Sequence, residues 1–180
     1  MIYTTKDLLK KGETEYSIRK KLNSGDLYLL ERGLYSDSKD IVENESSVSS
    51  RYPHAIITGL SAFYLYDLTD HIPDCFHLAT EQHSFPIRRD DVVQSYQDSS
   101  FFNVGVINRQ FNNETVRTYD LERLLIELFR LKEKYPPELY YEVVASFRKI
   151  KYQIDFYKVN QYLKSFSNGG HLLQRIKETI

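Results

Sequence analysis

Apolar and polar positions follow local rhythms along this chain, and each rhythm predicts a different kind of element. Near the start, Leu8 and Leu9 supply the buried side of a short helix capped by Thr4 or Thr5, with Gly12 as its stop. Asp7 stands in the first turn, where a negative charge complements the helix dipole. Thr14 caps a second helix over about Glu15 to Ser24, in which Ile18 and Leu22 lie one turn apart and face inward. Tyr16, Ser17, Arg19, Lys20 and Asn23 fall on its other faces. Gly25 ends it, and Leu27 to Leu30 and Leu34 to Tyr35 form short strands around Glu31-Arg32-Gly33, a glycine-containing hairpin turn. Helix, turn, basic helix and hairpin in this order predict a winged helix-turn-helix over residues 1–36, truncated because its usual first helix is short or absent.

The rhythm weakens over residues 37–52, a serine-rich and acidic stretch that reads as a linker, although Ile41, Val42 and Val48 could anchor a short helix. A larger domain is expected over residues 53–180. Its first part, 53–118, holds a helix from Gly59 to Asp67 capped by Thr58, a strand over Asp74 to Thr80, and further strands over Gln94 to Tyr96, Phe101 to Ile107 and Thr115 to Thr118. Its second part, 119–180, is helical. Asp120 caps a helix to about Glu133 with a broad stripe of Leu124, Leu125, Leu128, Phe129 and Leu131. Pro136 and Pro137 open another, and a last pair runs over Asp155 to Ser165 and His171 to Lys177. The fold class expected is α+β: a winged helix-turn-helix, then a mixed α/β domain ending in a helical bundle.

Composition adds a core and an uneven charge. Hydrophobic residues are 41% of the chain, enough to bury a sizeable interior. The net charge of −1 hides three regions. Residues 1–36 carry seven Lys or Arg against five Asp or Glu, residues 37–115 five against twelve, and residues 116–180 twelve against eight. The single cysteine, Cys75, rules out an internal disulfide and favours a reducing compartment. With no apolar leader at the start and no run of eighteen apolar residues, a cytoplasmic protein with no membrane partner is expected.

The candidate chemistry is nucleic-acid binding. In a winged helix the second helix of the pair enters the major groove and the hairpin flanks the backbone. Tyr16, Ser17, Arg19 and Lys20 offer cations and hydroxyls for phosphates and base edges, and Arg32 offers a cation on the wing. The alternative is a small module used for protein contact. Histidines 54, 71, 77 and 83 cluster with Asp70, Asp74 and Glu81, but no metal-ligand spacing joins them, so neither a metal site nor a cofactor is expected. The chain has no nucleophile elbow, phosphate-binding glycine loop or dinucleotide fingerprint, and no enzyme is expected. Cys75 reads as a small core residue, and the cations Arg148, Lys149, Lys151, Lys158 and Lys164 as the wet side of amphipathic helices.

Three stretches carry a resemblance to the AbiEi antitoxins, of bacterial abortive-infection, type IV toxin–antitoxin systems. Thr4-T-K-D-L-L with Tyr16-S-I-R-K-K-L-N-S-G-D-L and Glu31-R-G-L-Tyr35 is similar to the family's helix-turn-helix and its R-G-x-Y wing. Leu60-S-A-F-Y-L-Y-D-L-T-D-H-I-Pro73 resembles its S-A-L-Y-L-H-G-L-T-D-x-I-P run, with Asp67 where the family has Gly. Thr118-Y-D-L-E-R-L-L-I-E-L-Phe129 resembles its S-P-E-R-T-L-x-D-L block. The resemblance implies a DNA-binding domain that represses its own operon, on operators that are inverted repeats, and a C-terminal domain that counters a nucleotidyltransferase-like toxin without requiring a stable complex.

Overall fold

The computed structural model describes residues 2–31, 33–38, 44–111 and 114–180. It is a mixed α+β fold with two sheets, and it divides into two compact units, Met1–Tyr52 and Pro53–Ile180.

In the first unit β1 (Ile2–Thr4) runs straight into α1 (Thr5–Lys10), and a turn through Gly12 leads to α2 (Glu15–Ser24). Both helices open on a capping box, in which the cap hydroxyl accepts from one backbone N–H while a side chain one turn on accepts from the cap's own N–H. Gly25 closes α2 in the left-handed conformation. The hairpin β2 (Tyr28–Glu31) and β3 (Leu34–Ser36) follows, and β3 lies between β1 and β2, antiparallel to both. Leu8, Ile18 and Leu27 form the core under this sheet, with Tyr3, Leu22 and Tyr35 packed around them. Of the stretch expected as a linker, residues 39–43, including Ile41 and Val42, lie outside the described residues. Its end is not a linker in structure: Glu45–Arg51 form α3, capped by Asn44, with Val48 fully buried and packed in the first unit beside β1. Val48 is the apolar anchor that the sequence offers for a short helix there, and its place beside β1 ties that helix into the first unit.

The second unit is built on a five-stranded sheet of order β6-β5-β4-β8-β7. Its strands are β4 (Ile56–Ile57), β5 (Phe76–Glu81), β6 (Val92–Gln97), β7 (Val106–Phe111) and β8 (Glu114–Tyr119). β5 runs antiparallel to β4 and parallel to β6; β8 runs parallel to β4 and antiparallel to β7. Ile56 and Ile57 are wholly buried at the centre, so this apolar run is a strand before it becomes helix α4 (Gly59–Leu65). Thr58 stands at the cap position of α4 but makes no side-chain cap bond. Phe101, expected in a strand, lies in α5 (Ser99–Phe102), because Asp98 caps Ser100 and starts a turn of helix there.

Four longer helices complete the unit: α6 (Leu121–Arg130), α7 (Pro137–Lys149), α8 (Phe156–Leu163) and α9 (Gly169–Thr179). α6 is buried along residues 122–129, charged side chains included. Helices α6, α8 and α9 pack on one another, and α8 approaches α9 closely at Gly169, where an added Cβ would stand 2.1 Å from the Leu163 carbonyl oxygen.

Candidate nucleic-acid interface

On α2 the spacing of side chains separates two faces. Ile18 is buried and Leu22 half-buried, and one face of the helix is thereby fixed against the core. Tyr16, Arg19, Lys20 and Asn23 are exposed and fall within about a third of a turn of each other on the opposite side, as a 3.6-residue period requires. Tyr16 is 79% exposed. Among the described residues Arg19 and Lys20 have no ion-pair partner. The face therefore offers two free cations, an amide and a phenol.

Ser17 is placed differently from the other three. Its backbone N–H donates to the Thr14 hydroxyl at 3.1 Å, its own hydroxyl accepts from the Thr14 N–H at 2.8 Å, and that hydroxyl donates to Glu13 Oε2 at 2.6 Å. Ser17 is thus a capping residue, and sequence spacing alone, which puts it next to Tyr16, does not distinguish the two roles. Glu13 also pairs with Lys21, and these contacts hold the Glu13 carboxyl below its ordinary range, the Lys21 bond foremost and the Ser17 bond next. Lys21 is neutralised in this way and leaves Arg19 and Lys20 as the cations of the face. Arg32 lies outside the described residues. Around its position Glu31 and Leu34 pair across the hairpin, and Gly33 takes φ +84° while its carbonyl accepts from Thr5 N–H at 3.0 Å. The start of α1 is thereby tied to the hairpin tip. Just past the end of α1, Lys11 lies over the Tyr3 ring, 4.0 Å from its centroid.

The histidines of the second unit do not converge. His77 is half-buried on β5 against Gly59, and burial pushes its pKa down. His71 is exposed and faces Glu142 at 3.5 Å, and His54 and His83 are exposed elsewhere. Among the described residues no group of three or more His, Cys, Asp or Glu is placed to hold a metal ion. Cys75 is half-buried rather than a core residue, its thiol 3.9 Å from the Asp90 carbonyl oxygen.

Two charged clusters that the sequence does not announce lie inside the second unit. Arg123 is fully buried. Its guanidinium pairs with Glu127 at 2.7 Å, donates to the Phe101 carbonyl at 2.7 Å, and sits against the rings of Tyr119, Phe166 and Phe101. Arg130 holds the other Glu127 oxygen at 2.7 Å. Beside it, Lys158 bridges Asp120 at 2.9 Å and Glu122 at 3.2 Å, and Tyr162 donates to Asp120 at 2.8 Å. Burial works against the Lys158 charge, but the bonds from the two carboxylates outweigh it and raise its pKa above the ordinary lysine value. Burial, helped by the Asp120 bond, lifts the Tyr162 phenol to about 12. Lys158 is therefore bound to two carboxylates at the edge of the unit, with its side chain still partly exposed. Within these clusters each carboxylate is held by at least one cation.

The Leu60 to Pro73 stretch has a structural reading too. Glu142 on α7 accepts from the Thr69 hydroxyl at 2.8 Å and from the Asp70 N–H at 2.9 Å, which pins the loop after α4. Asp67 takes φ +55°, the left-handed conformation that glycine adopts without cost.

No family model matches this chain, and no curated protein does so at a significant level. Among solved structures, the crystal structure of the RV2827C protein from Mycobacterium tuberculosis is similar to it with a TM-score of 0.62, across 98% of this chain and 72% of that one, at 13% sequence identity. At that identity the likeness is one of fold alone. Among the described residues no helix is long and apolar enough to cross a membrane.

Proposed function

We propose that the chain is a bacterial antitoxin of the AbiEi kind, which binds operator DNA through a winged helix-turn-helix in its first unit and counters a nucleotidyltransferase-like toxin through its second. The observation that carries the DNA reading is the outward face of α2. Tyr16, Arg19, Lys20 and Asn23 stand together opposite Ile18 on α2, the second of two helices in a unit whose three-stranded sheet has the order β1-β3-β2. In this reading α2 enters the major groove, Arg19 and Lys20 neutralise phosphates or read guanine edges, and the β2–β3 hairpin is the wing. Ser17 acts through the cap, by fixing where α2 begins. Inverted-repeat operators suit two copies side by side.

The test is a gel-shift titration on the DNA upstream of the protein's own operon. The expected result is a shift that weakens as salt rises, with a salt slope that falls by about one for each of Arg19→Ala and Lys20→Ala. No salt-sensitive shift at moderate salt would falsify the DNA-binding part.

A second reading is a protein-contact module that neutralises its partner without DNA. It is favoured by the Glu13–Lys21 pair and the capped Ser17, which leave α2 with only two free cations. Toxin neutralisation that survives the Arg19→Ala, Lys20→Ala double variant separates the antitoxin role from the DNA role.

A further inference from the structure

The second unit contains a cleft of about 510 Å³ that neither the DNA face nor the loop pinned by Glu142 uses. Lys132 stands just beyond α6, Tyr140, Tyr141 and Arg148 come from α7, and Arg175 and Glu178 come from α9. The Tyr140 ring is buried and lies edge-on to Tyr141, with centroids 5.3 Å apart, and Tyr141 is 62% exposed. Lys132 Nζ is 5.3 Å from the Tyr140 ring centroid, and Arg148 Nε donates to the Thr179 carbonyl at 2.7 Å. Among the described residues Lys132 and Arg175 have no ion-pair partner. The one acid of the cleft, Glu178, accepts from Gln174 at 2.8 Å. Three cations against one acid leave the cleft positive.

The cleft at Tyr66, Asn108 and Glu122 lacks that surplus. It has its one arginine, Arg109, already stacked on the Tyr66 ring at 3.9 Å, and its acids Asp120 and Glu122 are held by Lys158.

We infer that the Lys132–Arg148–Arg175 cleft binds a nucleoside di- or triphosphate, with the phosphates on the cations and the base against Tyr141. Arginine forks match phosphate oxygens, exposed aromatic rings give bases a stacking surface, and the volume suits a drug-sized ligand. The inference concerns the second unit alone and stands or falls apart from the antitoxin reading.

Calorimetric titration of the full chain tests it with ATP, GTP, tripolyphosphate and the free nucleosides. A nucleoside triphosphate is expected to bind in the micromolar to sub-millimolar range and more weakly as salt rises. The Lys132→Gln, Arg175→Gln double variant is expected to weaken it about tenfold or more without moving the melting temperature. Tyr141→Ala should weaken the nucleotides and leave tripolyphosphate alone, and Glu178→Gln should tighten every phosphate ligand. If the double variant does not fold, Glu178→Gln decides: unchanged affinity overturns the site. Absence of binding at millimolar nucleotide, unchanged binding in the folded double variant, or tripolyphosphate bound as tightly as ATP also overturns the assignment.

Discussion

The outward face of α2 and the buried face of α6 use charge in opposite ways. In the first unit, a handful of apolar side chains around Leu8, Ile18 and Leu27 holds the fold, and the cations Arg19 and Lys20 stand outside with no ion-pair partner among the described residues. In the second unit, α6 buries Arg123 and Glu127 beside Leu124, Leu125, Ile126 and Leu128, and its charges are matched internally. A free cation on a surface is available to a partner; a matched ion pair in a core selects one arrangement of the chain. Small cores and open charge suit recognition, whereas the α6 ion pairs commit their charges to defining the interior of the second unit.

The sharpest way to break this contrast is Glu127→Ala. It strands the Arg123 guanidinium in the core and should cost about 3–5 kcal/mol, read as an earlier urea transition. Replacing the whole cluster together, Arg123→Met with Glu127→Leu and Arg130→Leu, should recover most of that loss. A triple variant as unstable as Glu127→Ala would mean that the charges themselves hold the unit together.

Ile18→Ala strikes the other side of the comparison. A cost of about 2–3 kcal/mol is expected from the lost burial and the cavity left behind. Hydrogen exchange should quicken in residues 2–36 while β5 and β8 stay protected. Loss of protection in both units together would show that they do not open independently.

At Asp67 the expected effects are smaller and opposite in sign. Asp67→Gly relieves the left-handed backbone and should be neutral or stabilising by a few tenths of a kcal/mol, and Asp67→Val should cost about 1–2 kcal/mol. Thermal melting reads both.

The mildest effect concerns acid. The Asp70 N–H and then the Thr69 hydroxyl, followed by His71, hold the Glu142 carboxyl below its usual range against a partial opposing push from burial. A lowered folded pKa means that its stabilising contribution is complete above the unfolded value, near about 4.3, and is lost as pH falls through the folded one. Glu142→Gln should therefore flatten the acid limb of a stability-versus-pH curve and leave the neutral region nearly level.

Much of the helical scaffold is legible in the sequence because its signals are local. Thr14, Gly25 and Asp120 cap or stop their helices within one turn of themselves, and the structure places them there. The miss at Ile56–Ile57 has a long-range cause: their partners are Leu78, Ala79 and Thr118, and nothing nearby in the chain says strand. Over residues 45–51 the sequence offers Val48 as the anchor of a short helix, but its burial beside β1 is a long-range contact that the sequence does not show. Lys158 reads as a solvated helix charge because the carboxylates that hold it, Asp120 and Glu122, lie 36 or more residues earlier. At the candidate interface, spacing alone places Tyr16, Arg19 and Lys20 outward, but it cannot show that Ser17 closes a cap or that Glu13 occupies Lys21. The cleft of Lys132, Arg148 and Arg175 draws on three helices and has no contiguous sequence signal at all.

The shortest strand of the large sheet also sets the order in which the chain is completed. Ile57 occupies the middle of the sheet, yet the Thr118 hydroxyl that bonds its carbonyl lies 61 residues later. During synthesis β4 leaves the ribosome long before β8 exists to flank it. The β7–β8 hairpin forms from near neighbours, but the centre of the sheet closes only when both ends of that long loop meet. Until then two isoleucines that end up fully buried stay without one of their neighbours, so the nascent second unit is at its most vulnerable to aggregation and to chaperone capture while residues 58–118 are being made.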